Sequence, residues 1–356
     1  MGCGNGAHLP HVSVGERANF AGNACRQSAK TSRVHFPAMS GTLKSLLLQL
    51  VFISFVLSAF GQTPTPSAWP PSPEHTTVPL WSGGAPGPST AKAPEQETTT
   101  AKDRQVAGRP VIRIGNVSVP TLTLYGVKST PNSGPMPTVV VFPGGSYRIL
   151  AIDLEGTEVC DWLNSIGVNC VLVKYRVPET GPFPKSGAAL QDAQRAIGIV
   201  REHAAEWHID PKRVGVLGFS AGGHLAAAVS THYEQRLYPA VDAADQLSCR
   251  PDFAIILYPG YLANAEKNFE FSPDIPVTAS TPPSFLVQAE DDGVHVENAV
   301  EYFMALKKAG VPAELHTYAQ GGHGYGLRPT EKPVTRWPQL ASRWLHTIGV
   351  LPGTGE

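Results

Sequence analysis

Ser220 stands at the centre of GFSAG, flanked two positions away on either side by Gly218 and Gly222. The motif follows the apolar run VGVL and precedes GHLAAAV, the order of a strand that turns sharply into a helix. A serine on so tight a turn needs neighbours without side chains, and glycine supplies them. The bland alternative is a tight turn bearing an inert hydroxyl. A serine hydroxyl of ordinary acidity is a poor nucleophile, so a base must take its proton during attack and a third group must orient that base.

Of the 12 histidines, His323 lies in GGHGYG after the last apolar run, where glycines let a loop carry an imidazole over a sheet edge. His316 falls inside that run and reads as core or surface, and His224 reads as packing or hydrogen bonding near the turn. The orienting acid is expected after FLVQA, where Glu290, Asp291 and Asp292 follow one another. Asp292 is favoured, ahead of Asp291 and then Glu290, and the two not used are read as a solvated acidic turn. His295 reads as surface or as a substrate contact. Acyl transfer also needs donors aimed at the developing oxyanion, and the loop PGGSY, from Pro143, offers the amides of Gly145 and Ser146 beside that of Ala221. A phosphate-binding loop has no support, since neither GxGxxG nor GK[ST] occurs there. The five cysteines, Cys3, Cys25, Cys160, Cys170 and Cys249, form no CxxC pair, and no HExxH string is present. No metal site is therefore expected, and serine acyl transfer requires no cofactor.

Positioning these groups is the work of eight apolar, β-branched runs: VIRIGNV from Val111, PTLTLYG from Pro120, TVVVF from Thr138, VNCVLVKY from Val168, RVGVLGF from Arg213, FAIILY from Phe253, SFLVQA from Ser284 and AELHTY from Ala313. VVVF, CVLV and AIIL are unbroken, as strands buried on both faces are. Helical spacing follows in Leu190, Ala193, Ile197, Val200 and Ala204, then in Val296, Val300, Phe303 and Leu306, and in Trp337, Ala341, Trp344 and Ile348. An α/β fold with a mostly parallel sheet is expected. The first two strands, nearly adjacent in sequence, are expected to pair antiparallel. Asp210 before Pro211 predicts a turn, Ser186 a helix cap and Gly310 a helix stop after Ala309.

With 28 Lys plus Arg against 29 Asp plus Glu, and 42% hydrophobic residues, the chain of 356 residues is no disordered tail and has no basic excess for nucleic acid. Residues 46–60, LLLQLVFISFVLSAF, follow Lys44 and precede GQTPTP. That is signal-peptide anatomy, and it is shorter than the ~20 apolar residues of a membrane span. Residues 1–38 are expected to be a non-native extension, with translation starting at Met39, a leader over 39–61 and cleavage near Gly61 or Gln62. Residues 62–109, rich in Pro, Ser and Thr, read as a linker in which Trp69, Leu80 and Trp81 are exceptions. Residues 110–350 read as the catalytic domain. Leader removal would leave three cysteines, hence at most one disulfide and one thiol.

Taken together, FPGGSY from Phe142, LQDAQRAIGIVREHA from Leu190, IDPKRVGVLGFSAGGHLAA from Ile209, QAEDDGVHVEN from Gln288 and AGVPAELHTYAQGGHGYG from Ala309 carry a resemblance. The chain resembles the α/β-hydrolase superfamily from about residue 78 to 350. Within it the chain looks like carbohydrate esterases related to acetylxylan and feruloyl esterases and like hormone-sensitive-lipase-like enzymes. The resemblance implies an α/β-hydrolase fold, with a sheet of about eight strands, mostly parallel, and helices on both faces. It implies Ser220 as nucleophile, His323 as base and Asp292 as acid, with Gly145, Ser146 and Ala221 as the oxyanion hole. PGGS departs from relatives with a third glycine or a leading histidine, so Ser146 is expected to shape the acyl pocket. Aligned from its right end, the acidic loop selects Asp291 instead. Asp192 and Arg195 are read as a structural pair at i and i+3, Tyr175 and Arg176 as structural, and Trp162 as core.

The implied activity is a secreted or periplasmic serine esterase, free of cofactors, that cleaves short acyl esters through an acyl-enzyme. Acetyl groups on plant polysaccharide fragments such as xylan are the expected substrate, with no nucleic-acid partner and no stable membrane association after leader cleavage. About 25 residues between the strands near Ile256 and Leu286 leave little for a lid over long lipid chains. A serine peptidase of the prolyl-oligopeptidase-like type is the catalytic alternative, and an inactive carbohydrate-binding module the non-catalytic one.

Overall fold

Seven of the eight apolar runs become strands of one sheet, because each can bury both of its faces or, at the edges, one. The computed structural model describes residues 69, 73–128, 134–179 and 187–353, all within the unit Pro64–Glu356. The expected extension 1–38, the leader 39–61 and the Ser186 cap lie outside the described residues. The strands are β1 (Thr76–Pro79), β2 (Thr121–Tyr125), β3 (Met136–Phe142), β4 (Asn169–Lys174), β5 (Ile209–Phe219), β6 (Ala254–Leu257), β7 (Ser284–Ala289) and β8 (Ala313–Tyr318). Their spatial order is β1-β2-β4-β3-β5-β6-β7-β8. β2 runs antiparallel to both β1 and β4, and every other neighbouring pair is parallel. The helices are α1 (Glu158–Ser165), α2 (Gly187–Glu202), α3 (Ala221–Thr231), α4 (Glu297–Lys308) and α5 (Trp337–Thr347), and they cover both faces of the sheet. Trp162 of α1 meets Trp337 of α5 edge to face at 5.1 Å, half-buried as part of that packing.

Two expectations change at the front of the domain. VIRIGNV does not join the main sheet: only Arg113–Gly115 is extended, and it pairs antiparallel with Gln96–Glu97 and with Ile149–Ala151. Asn116, at φ +56°, turns the chain out of line straight after Gly115. The place beside β2 is taken instead by Thr76–Pro79, register Thr77 to Thr123. The stretch 62–109 is therefore no tether from residue 76 onward. Leu80 is wholly buried and Trp81 nearly so, and Trp81 Nε1 donates to Asp192 at 2.7 Å.

Asp192 and Arg195 do not serve each other as the i,i+3 spacing suggested. Asp192 pairs with Arg176 at 2.9 Å, whereas Arg195 reaches Asp242 at 2.5 Å, Asp245 at 3.1 Å and the Leu80 carbonyl at 2.9 Å. Both are buried in the helix face that packs inward, so each finds its countercharge on another segment. Asp210 does begin an irregularity. Its carboxylate accepts from the Lys212 amide at 2.9 Å, and residues 210–213 bulge from β5 while Met136 to Thr138 of β3 run on. Gly310, at φ +75°, ends α4 after Ala309. Cys160 of α1 is bonded to Cys170 of β4, and Cys249 is a buried free thiol. Among the described residues no helix is long and apolar enough to cross a membrane.

Candidate active site

β5 ends at Phe219 and α3 begins at Ala221, which leaves Ser220 on the corner at φ +53°, ψ −116°. The corner is possible because nothing projects beside it. A Cβ on Gly218 would collide with the Gly222 carbonyl, and one on Gly222 with the Phe142 carbonyl. The loops after β3, β7 and β8 open at the same C-terminal edge, where α/β sheets present their ligand sites.

His323, in the loop after β8, brings Nε2 within 2.8 Å of Ser220 Oγ, and its Nδ1 lies 2.9 Å from Asp292 Oδ2. One tautomer satisfies both contacts, with Nδ1–H donating to the carboxylate and Nε2 accepting from the hydroxyl. Asp292 is buried, and its other oxygen accepts from the Val294 amide at 2.7 Å while Gln288 Nε2 donates to Oδ2 at 3.1 Å. Asp291 faces elsewhere: its Oδ1 accepts from the amides of Gly321 and Gly322 at 2.7 and 2.6 Å. Those donors hold its carboxyl below the usual carboxylate range and tether the loop that carries His323. Glu290 is exposed.

Gly145 and Ser146 line a cleft of about 200 Å³ together with Ser220 and His323. Gly145 sits at φ +136°, and a Cβ there would strike the Ile149 carbonyl. Ser146 shares the left-handed region at φ +56°. Ala221 opens α3, so its amide belongs to the first turn, whose N–H groups have no intrahelical acceptor. Three other histidines singled out in the sequence contact other partners. His224 Nδ1 meets the Tyr147 hydroxyl at 2.8 Å, His316 lies in β8 beside Glu314 at 3.2 Å, and exposed His295 leans on Phe269.

One buried carboxyl in the cleft wall escaped sequence reasoning. Glu155 Oε2 accepts from the Gly144 amide at 2.7 Å, and Oε1 accepts from the Tyr258 hydroxyl at 2.8 Å. Burial pushes its pKa up, opposed by those two donors. Tyr258 also accepts from the Gly326 amide at 3.2 Å and stands edge-on to His323 at 5.0 Å. Glu155, through Tyr258, thus joins the loop of Gly144 to the loop bearing His323. A lone glutamate in ILAIDLEG offers no periodic signal that could have announced it. Arg104, whose Nη1 donates to the His323 carbonyl at 2.9 Å, lies in the polar stretch 62–109, where composition carries no signal of a site.

A family model for the alpha/beta hydrolase fold matches residues 139–281. The crystal structure of an acetyl ester-xyloside bifunctional hydrolase from Caldicellulosiruptor lactoaceticus is 34% identical, with a TM-score of 0.59, over 82% of this chain and 100% of that one. The chain belongs to the α/β-hydrolase family. Among curated relatives, this α/β hydrolase is 32% identical to an acetylxylan esterase of Xylanibacter ruminicola over 59% of its own length and 45% of that protein. It is 29% identical to endo-1,4-beta-xylanase B of Butyrivibrio fibrisolvens over 52% of its own length and 32% of that protein. The chain therefore spans less than half the length of these two curated relatives.

Proposed function

We propose that this α/β hydrolase is a serine carboxylic ester hydrolase that removes short acyl groups, acetyl above all, from plant polysaccharide fragments such as xylan. The observation that carries the reading is the continuous relay from Asp292 through His323 to Ser220, at 2.9 and 2.8 Å. Ser220 Oγ attacks the acyl carbon while His323 Nε2 takes its proton. The amides of Gly145, Ser146 and Ala221 receive the charge that develops on the carbonyl oxygen. The imidazolium, held by Asp292, gives the proton to the departing alcohol and leaves an acyl-enzyme. Water then attacks, losing a proton to His323, and Ser220 leaves with that proton restored. The chemistry calls for no cofactor.

The acyl preference is supported by the small cleft and by the acetyl esterase names of two relatives. The apolar run 46–60 supports export to the cell exterior or periplasm, with translation from Met39, and N-terminal sequencing of the secreted form tests it: a mature terminus near residue 62 is expected. For the chemistry, Ser220→Ala is expected to lower acetyl-ester hydrolysis by at least ~10⁴-fold and to abolish fluorophosphonate labelling while the circular dichroism spectrum is kept. Unchanged turnover would dispose of the mechanism. Rates on acetylated xylan, feruloylated arabinose and p-nitrophenyl esters of rising chain length test the substrate, with acetyl esters expected to lead.

A further inference from the structure

The catalytic cleft carries two guanidinium groups that acyl transfer does not use. Arg104 and Arg113 line it together with Ser220 and His323. Arg104 is exposed and bonded to the His323 carbonyl, and among the described residues no carboxylate pairs with it. Arg113 Nη1 donates to the Val111 carbonyl at 3.0 Å, with Asp103 Oδ2 at 3.6 Å. That same oxygen is held by the Thr100 amide and hydroxyl at 2.7 and 3.1 Å, so Asp103 stays charged but lies beyond hydrogen-bond reach of Arg113. Among the described residues the other carboxyls nearby hydrogen-bond elsewhere and to neither guanidinium: Glu155 to Gly144 and Tyr258, Asp292 to His323, and Asp153 and Glu158 to Arg328.

We infer that this cleft selects esters whose alcohol part carries a carboxylate, as in an acetylated xylo-oligosaccharide bearing a uronic acid, with Arg104 and Arg113 as the carboxylate's partners. The inference rests on the serine-esterase reading of the same cleft. A guanidinium presents a planar fork matched to a carboxylate. A partly enclosed cleft floored by Val106, Val111 and Leu154 focuses that charge more than open surface does. The alcohol side follows from the geometry. Gly145 and Ser146 receive the acyl oxygen, whereas His323 protonates the leaving alcohol, and Arg104 is fastened to His323.

The test compares 4-acetoxybenzoate with 4-acetoxybenzamide, which share an acyl group and differ by one negative charge. Arg104→Gln is expected to lower the anion-to-neutral ratio of kcat/KM about fivefold, through KM for the benzoate, while Arg104→Lys, which keeps the charge but not the planar fork, restores only part of it. Arg113→Gln is expected to lower the ratio less. About 0.5 M NaCl should bring the unmodified enzyme's ratio toward that of Arg104→Gln. Using the ratio separates recognition from any disturbance of the His323 loop, which would slow both esters alike. A ratio indifferent to both substitutions and to salt, in an enzyme that turns over both esters, overturns the inference and leaves the esterase reading intact. So does a charge preference found only between p-nitrophenyl succinate and p-nitrophenyl butyrate, which would move the carboxylate to the acyl side. Failure to hydrolyse either acetyl ester, with no fluorophosphonate labelling, overturns both readings.

Discussion

Asp292 reaches His323 because the Val294 amide and Gln288 hold its carboxylate inward, while its neighbour Asp291 turns out to the Gly321 and Gly322 amides. These environments assign different consequences to substitutions one residue apart. Asp292→Asn is expected to lower kcat by about 10³–10⁴-fold, because the amide no longer fixes the imidazole in the useful tautomer. Asp291→Asn, which keeps an acceptor for the loop amides, is expected to cost less than about tenfold. Measuring kcat for both decides it, since a larger loss at Asp291 would reverse the assignment. Glu155 permits a pH experiment. Its folded carboxyl titrates above the ordinary 4.5 because burial disfavours the charge. Below that value both states are protonated. Above it the unfolded chain ionises first, so stability falls as pH rises towards the folded value. Melting temperatures from about pH 4 to 7 should therefore show the unmodified protein losing ground to Glu155→Gln as pH rises, and a constant difference would contradict the burial argument.

One buried arginine ties the wall of the cleft to the body of the domain. Arg328 is nearly inaccessible and pairs with Asp153 at 2.9 Å and Glu158 at 2.8 Å. It also donates to the carbonyls of Val106, Arg109 and Pro110. These carbonyls belong to the strap that carries Arg104 and Arg113. Removing one partner from a buried ionic cluster leaves desolvated charge behind, so Arg328→Ala is expected to destabilise the fold by about 3–5 kcal/mol. Urea unfolding would measure it. The strap had no readable signature, since its Lys, Asp, Arg and Gln composition is that of any solvated stretch. The elbow was legible at the same scale, because glycines two positions either side of a serine mark a strand-to-helix corner too tight for side chains, here crowded by the Gly222 and Phe142 carbonyls.

At the scale of the whole domain, the edge strand decides where folding sequence begins. β1, Leu80 and Trp81 precede residue 110, yet Trp81 reaches Asp192 and the Leu80 carbonyl receives Arg195. Burying two such side chains is worth roughly 2–3 kcal/mol each, a large part of a net stability of about 5–15 kcal/mol. A chain starting at residue 73 is expected to melt cooperatively, whereas one starting at residue 110 is expected to lose its cooperative transition, which calorimetry would register. Cooperative melting of the shorter chain would return these residues to the role of tether.

The sequence by itself determined the alternation of strands and helices, the elbow around Ser220, the loop of His323 and the glycines in the loop after β3. All of these are short-range: hydrophobic period and steric room are written in neighbouring residues. Tertiary structure alone decided which of two adjacent aspartates meets the imidazole, and which strand occupies the edge beside Thr121–Tyr125. It alone placed the partners of Asp192 and Arg195 on other segments and a polar stretch against the cleft. Each of these is a pairing between residues far apart in the chain, chosen by which countercharge, donor or edge the folded core brings within hydrogen-bond distance, and local composition does not encode that choice.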